Sequence, residues 1–165
     1  MVIREILVQD AENLRHLIYE VENNAEFMLM ERGERKMTVE QIRKQIENVQ
    51  QQNNSVIFVA EQEEELLGYL FAIGGNVKRK QHSAYLVIGI LDDYRGKGVG
   101  TKLFQKVTDW AAKQQLTRLE LTVVTQNEAG VALYRKSGFR IEGTKRNSLV
   151  INGKSYDEYY MAKFL

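Results

Sequence analysis

Apolar positions along this chain follow two rhythms, one near 3.6 residues and one near 2, and the switches between them outline the elements. Residues 2–7 suit a short strand. Leu14, Leu17, Ile18 and Val21 then recur at helical spacing, with Asp10 placed to cap that helix. A second helix is predicted from Thr38, where Gln41 completes a capping box ahead of the stripe Val39, Ile42, Ile46 and Val49. Between these helices, residues 22–37 include Phe27, Met28, Leu29 and Met30. That is much apolar material for a loop, and it implies that the loop covers something.

Three strand-like runs follow, at residues 56–60, 66–73 and 84–91, the second preceded by an acidic turn of Glu63, Glu64 and Glu65. Their short connections predict antiparallel neighbours. A helix comes next with Val99, Leu103, Val107, Trp110 and Ala111 on one face, and then alternation of Leu119, Leu121 and Val123 marks a strand at 118–124. A helix between two strands argues for a right-handed parallel crossover. Asn127 is placed to cap a further helix that ends at Gly138, with Phe139 as the apolar residue beyond it. Two β-like runs, 139–150 and 155–163, flank Asn152-Gly153, a strong hairpin signal. The order β-α-α-β-β-β-α-β-α-β-β predicts an α/β fold, a mixed sheet with helices on its faces, as one domain over residues 1–165.

Composition narrows the classes. A net charge of +1 supplies no field that argues for nucleic acid or a membrane surface. The absence of cysteine removes disulfides, thiolate metal sites and a cysteine nucleophile together. His16 and His82 lack metal-ligand spacing, so no metal is expected. No apolar stretch approaches the roughly 20 residues of a membrane span, and no leader-like segment opens the chain, so a cytoplasmic location is the expectation.

The chemistry concentrates in Tyr94-Arg95-Gly96-Lys97-Gly98-Val99-Gly100-Thr101, between a predicted strand and a predicted helix. Glycines at 96, 98 and 100 let main chain approach a phosphate without Cβ clashes, and a helix N-terminus offers free N–H groups and a positive dipole end. A Walker A loop needs lysine before Ser/Thr, but the order here is Gly100-Thr101-Lys102. A dinucleotide fingerprint needs a wider gap before its third glycine. The plain alternative is a glycine-rich turn with no ligand.

The octet resembles the acetyl-CoA signature of the GNAT acetyltransferase superfamily, an Arg or Gln followed by spaced glycines, through Arg95, Gly98 and Gly100. A second stretch, Asn127-Glu128-Ala129-Gly130-Val131-Ala132-Leu133-Tyr134-Arg135-Lys136-Ser137-Gly138-Phe139, is similar to the Asn…Leu-Tyr…Gly-Phe segment of the same family. The element order matches over essentially the whole chain. Two departures stand out: Gly130 occupies a position where alanine is common, and Asp92 one where many members carry proline. Gly130 is expected to soften its helix by about 1 kcal/mol relative to alanine.

The resemblance implies a three-layer fold with about seven strands and about four helices. It also implies acetyl transfer from acetyl-CoA to a primary amine by direct attack on the thioester. The pyrophosphate would rest on Arg95, Gly96, Lys97, Gly98, Val99, Gly100 and Thr101, and pantetheine would pair with Ile88, Gly89 and Ile90, where the strand parts from its parallel neighbour. The Ile90 amide would stabilise the oxyanion, Asn127 would touch the cofactor arm, and Tyr134 would donate a proton to the leaving sulfur. Some relatives carry a basic glutamate five residues before the Asn; here that position is Thr122, which leaves Glu120 and Glu31 as weak candidates. The acceptor would meet the Phe27–Met30 region and the last hairpin, with Tyr156, Asp157, Glu158, Tyr159 and Tyr160. The branch resembled acts on amino acids, polyamines or protein N-termini, and the family commonly dimerises. A non-catalytic acyl-CoA-binding module is the alternative.

Overall fold

The computed structural model describes residues 1–165 and has the predicted element order. Strands β1 (Val2–Glu5), β2 (Val56–Gln62), β3 (Glu65–Gly74), β4 (Ser83–Ile90), β5 (Arg118–Val124), β6 (Arg140–Ile151) and β7 (Lys154–Phe164) form one sheet. Helices α1 (Ala11–Asn24), α2 (Val39–Gln50), α3 (Val99–Lys113) and α4 (Glu128–Lys136) lie against it. The strand order is β1-β2-β3-β4-β5-β7-β6, and β4 and β5, joined through α3, make the parallel pair.

Two separate apolar clusters explain the three layers. Leu14, Leu17, Ile18, Ile42 and Ile46 from α1 and α2 pack on Ile57, Val59, Tyr69 and Phe71 of the sheet. On the opposite face, Leu103, Phe104 and Val107 of α3 pack on Phe58, Leu70, Leu119, Leu121 and Met161, with Leu133 and Tyr134 of α4 at the margin. Alternate strand residues feed opposite cores, as the period of 2 requires. Trp110 is only partly buried, and its ring meets Phe58 edge-on at 6.4 Å.

The local signals acted as expected with one exception. Gln41 N donates to Thr38 Oγ1 at 3.1 Å while Thr38 N donates to Gln41 Oε1 at 2.8 Å, so the capping box of α2 is complete. Asn152 and Gly153 both take positive φ, 51° and 77°, in the hairpin turn. Asp10, by contrast, stands at the start of α1 but makes no side-chain cap. A short 3-10 turn precedes the helix, and both Asp10 oxygens are occupied elsewhere: Arg4 donates to them at 2.8 and 2.9 Å, and Leu7 N donates at 2.7 Å. The Arg4 guanidinium holds the Asp10 carboxyl below its ordinary pKa. The charge pins β1 to the foot of α1 instead of satisfying the helix. No helix is long and apolar enough to cross a membrane.

Candidate active site

The parallel pairing of β4 with β5 is short. It covers Ser83–Arg118, Ala84–Leu119 and Tyr85–Glu120 and then stops, although β4 continues to Ile90 and β5 to Val124. The β3–β4 ladder continues unbroken to Gly68–Ile90. In an antiparallel ladder alternate residues turn their polar groups to the same neighbour. Leu91 N donates to Leu67 O, which puts Gly89 and Val87 on the β3 side and leaves Ile88 and Ile90 facing the gap. Main-chain donors and acceptors of Ile88 and Ile90 therefore edge an open slot beside β5.

The slot runs into the glycine loop. Gly96 and Gly98 take φ of 72° and 84°, and a Cβ on either would meet nothing within 4 Å, so these glycines are required by conformation and not by crowding. Gly98 is the N-cap of α3 in the left-handed region. The main-chain amides of residues 96–101 make no hydrogen bond within the chain. A row of unpartnered N–H groups at the positive end of a helix suits a pyrophosphate. Gly100 has a different reason to be glycine, because a Cβ there would press on Leu133 of α4.

α4 closes the other side. Asn127 accepts from Gly130 N at 3.0 Å, which makes it the predicted N-cap and turns its Nδ2 group free. A Cβ on Gly130 would lie 2.7 Å from that Nδ2. The glycine thus leaves room for the cap, which offsets part of its intrinsic cost to the helix. Tyr134, one turn further on, is wedged edge-on against Phe104 at 5.5 Å and Phe139 at 6.5 Å. Burial, and after it neighbouring Tyr85, pushes its pKa up to about 12. The phenol therefore stays protonated and able to donate.

These features share one cleft of about 620 Å³. Ile88, Gly89, Ile90, Arg95, Gly96, Gly98, Gly100, Thr101, Asn127 and Tyr134 all border it. Lys97 and Val99 do not: the Lys97 ammonium lies over the Tyr94 ring at 5.4 Å, and Val99 is buried in the core. Arg95 borders the cleft with a guanidinium nitrogen 3.3 Å from Asp92. Gly89 contributes no bulge, since its ladder keeps register, and the space above it is filled by the Tyr69 ring.

A family model for acetyltransferases of the GNAT type matches residues 15–139. This chain belongs to the GNAT acetyltransferase family. The GNAT acetyltransferase of *Streptococcus pneumoniae*, a solved structure, superposes with a TM-score of 0.96 at 30% identity, covering 99% of each chain. An acetyltransferase from *Salmonella typhimurium*, solved with acetyl-CoA, shares the fold with a TM-score of 0.88 at 18% identity, over 99% of this chain and 93% of that one. An L-amino acid N-acetyltransferase of *Escherichia coli* strain K12 is 33% identical over 52% of this chain and 53% of its own length. The spermidine N(1)-acetyltransferase of the same strain is 29% identical over 65% of this chain and 57% of its own. The chain thus matches little more than half the length of these two curated relatives.

The residues expected to meet an acceptor are dispersed in this GNAT chain. Phe27 and Met28 border the cleft, and Phe27 packs edge-on against Tyr156 at 5.8 Å, joining the α1–α2 loop to the last hairpin. Glu158 is bonded to Ser148, and Asp157 accepts from Asn147 N at 2.8 Å, so both mainly shape the hairpin. Glu120 is bonded to Arg118 at 2.7 Å, and Glu31 lies in a separate pocket. Neither reaches the cleft, whose carboxylates are Glu26 and Glu128. The Thr122 hydroxyl bonds the Tyr85 hydroxyl at 2.7 Å, just past the point where β4 and β5 part. Glu26 and Tyr85 carry no sequence signal, because only the fold brings them to the slot.

Proposed function

We propose that this protein is a cytoplasmic N-acetyltransferase that moves the acetyl group of acetyl-CoA to a small primary amine. The observation that carries the reading is the run of unpartnered amides at 96–101 continuous with the β4–β5 slot and ending beside a half-buried Tyr134 whose phenol is held protonated. The amides take the pyrophosphate, and the Ile88 and Ile90 groups pair with the pantetheine arm. Both are main-chain partners and need no side-chain rearrangement.

The neutral amine nitrogen attacks the thioester carbonyl carbon, forming the C–N bond. The Ile90 N–H donates to the oxygen as negative charge builds there. Collapse breaks the C–S bond, and the departing sulfur takes the Tyr134 proton. The amine sheds its surplus proton to water, and Tyr134 is reprotonated from solvent. A phenol with a raised pKa suits this step because the burial that raises it also makes a thiolate beside it more basic, so donor and acceptor shift together. No enzyme nucleophile is needed, in keeping with a chain that has no cysteine.

The acceptor end, with Phe27, Met28 and Glu26, supports an amphipathic amine. With Glu120 tied to Arg118 and threonine at 122, the enzyme brings little base strength. Amines of lower pKa are therefore the better acceptors at a given pH. Relatives named for L-amino acid and spermidine N-acetylation fall within this class. The test is CoA-thiol release across amines of graded pKa. Release that rises as amine pKa falls is expected. Tight acetyl-CoA binding with no release on any amine would establish a binding module instead.

A further inference from the structure

Helix α4 brings both Asn127, its N-cap, and Tyr134 to the cleft, yet none of its own residues is fully buried. α3, by comparison, buries Val99, Gly100, Leu103, Phe104, Val107 and Ala111. A close-packed core leaves a side chain little freedom to shift, and α4 only touches the margin of that core through Val131, Leu133 and Tyr134. The helix that carries the proton donor therefore depends on what holds its two ends. Asn127 holds the first end, through its bond from Gly130 N.

The second end is held from β7. Lys163 Nζ donates to Ser137 O at 2.9 Å and to Thr108 Oγ1 of α3 at 3.2 Å. Ser137 is the C-cap of α4, and no main-chain N–H reaches its carbonyl, so Lys163 is the donor that satisfies it. The preceding carbonyls are taken locally: Leu133 O by Ser137, Tyr134 O by Phe139 N and Arg135 O by Gly138 N. The ammonium also stands at the negative end of the helix dipole. Gly138 takes φ of 96°, and a Cβ there would lie 3.2 Å from Lys163 Cε, so this glycine both ends the helix and leaves room for the lysine stem. Lys163 is itself fixed by the β5–β7 ladder, opposite Leu119. One side chain thus ties the sheet to α3 and to α4, three residues beyond Tyr134.

We propose that Lys163 is a positioning residue for acetyl transfer: by tying the C-cap of α4 to β7 and α3, it holds the Tyr134 hydroxyl in line with the leaving sulfur. Lys163 does not border the cleft and touches no reacting atom; it acts through Tyr134. The inference rests on the acetyl-transfer reading and adds to it a residue outside the cleft.

The test is steady-state thiol release by the full chain. Lys163→Met keeps the stem and removes the donors, and kcat should fall by about fivefold or more, as small misplacements of a reacting group do. The KM for acetyl-CoA should stay nearly unchanged, because the Asn127 cap and the 96–101 loop lie at the opposite ends of α4 and α3. In a Tyr134→Phe background the same substitution should change kcat by less than about twofold, since the group it positions is gone. Lys163→Arg, which keeps a cationic donor at the Ser137 carbonyl, should restore most of the activity. Should Lys163→Met not fold, Lys163→Gln carries the same comparison. A lysine that serves stability alone would lower the thermal midpoint and leave kcat of the folded protein unchanged, and that result would overturn the proposal. So would an equal loss of kcat in both backgrounds. Absence of transfer by the unaltered chain would instead overturn the acetyl-transfer reading, and this inference with it.

Discussion

The two ends of the cleft are built from different materials. At the donor end the contacts on offer are main-chain groups: the amides of residues 96–101 and the polar edges of Ile88 and Ile90. At the end proposed for the acceptor they are side chains, Glu26, Phe27 and Met28, from the connection between α1 and α2. Main-chain groups are common to every residue type, so their arrangement can be kept while the side chains change. Side chains are free to vary with the ligand. One end is therefore suited to a constant donor and the other to a changing acceptor. Tyr134 stands where the two meet.

Each half can be broken separately. Tyr134→Phe is expected to have the largest effect, about 10²-fold or more in kcat with the KM for acetyl-CoA nearly unchanged, from steady-state thiol release. A parallel rise in KM would make Tyr134 a packing residue instead. Its raised pKa, about 12, keeps the phenol protonated through the neutral range, so it should impose no alkaline fall in kcat below pH 10, where an ordinary tyrosine titrates. Next comes Gly98→Val. A β-branched residue at φ 84° is strained by at least about 1–2 kcal/mol, which predicts acetyl-CoA affinity about tenfold weaker by calorimetry. Arg95→Ala should change it less than about threefold, since that guanidinium is exposed and engaged with Asp92. If Arg95→Ala proves the more damaging, the donor end is held by side-chain charge and the contrast fails.

On the acceptor side, Phe27→Ala loses the edge-on contact with Tyr156, worth about 0.5–1.5 kcal/mol. It should raise the KM for amine by a few-fold and leave that for acetyl-CoA alone. The smallest effect is expected from Gly130→Ala. Helix propensity alone predicts about 1 kcal/mol of gain. The new Cβ would crowd the Asn127 cap, itself worth about 1 kcal/mol, so thermal unfolding should shift little in either direction.

The same division governs what could be read from the residues in order. The glycine loop and the Asn127 cap were legible because each is a local pattern of spacing within a few residues. So were the Thr38 capping box and the Asn152-Gly153 turn. Tyr134, by contrast, was singled out only through the family resemblance. The early end of β4–β5 pairing carries no local mark, since it depends on strands about 35 residues apart meeting at one end only. Asp10 looked like a helix cap until Arg4, six positions away, took both of its oxygens. Gly89 was expected to pair with pantetheine beside Ile88 and Ile90, but its main chain turns to β3 and the Tyr69 ring covers it.

The central claim is that the donor is held by main chain, and amide hydrogen exchange tests it most directly. With saturating acetyl-CoA, exchange should slow at the amides of residues 96–101 and at Ile90, all of which are near the cleft, with little change along β6. Binding confirmed by calorimetry with no slowing across 96–101 would contradict the account.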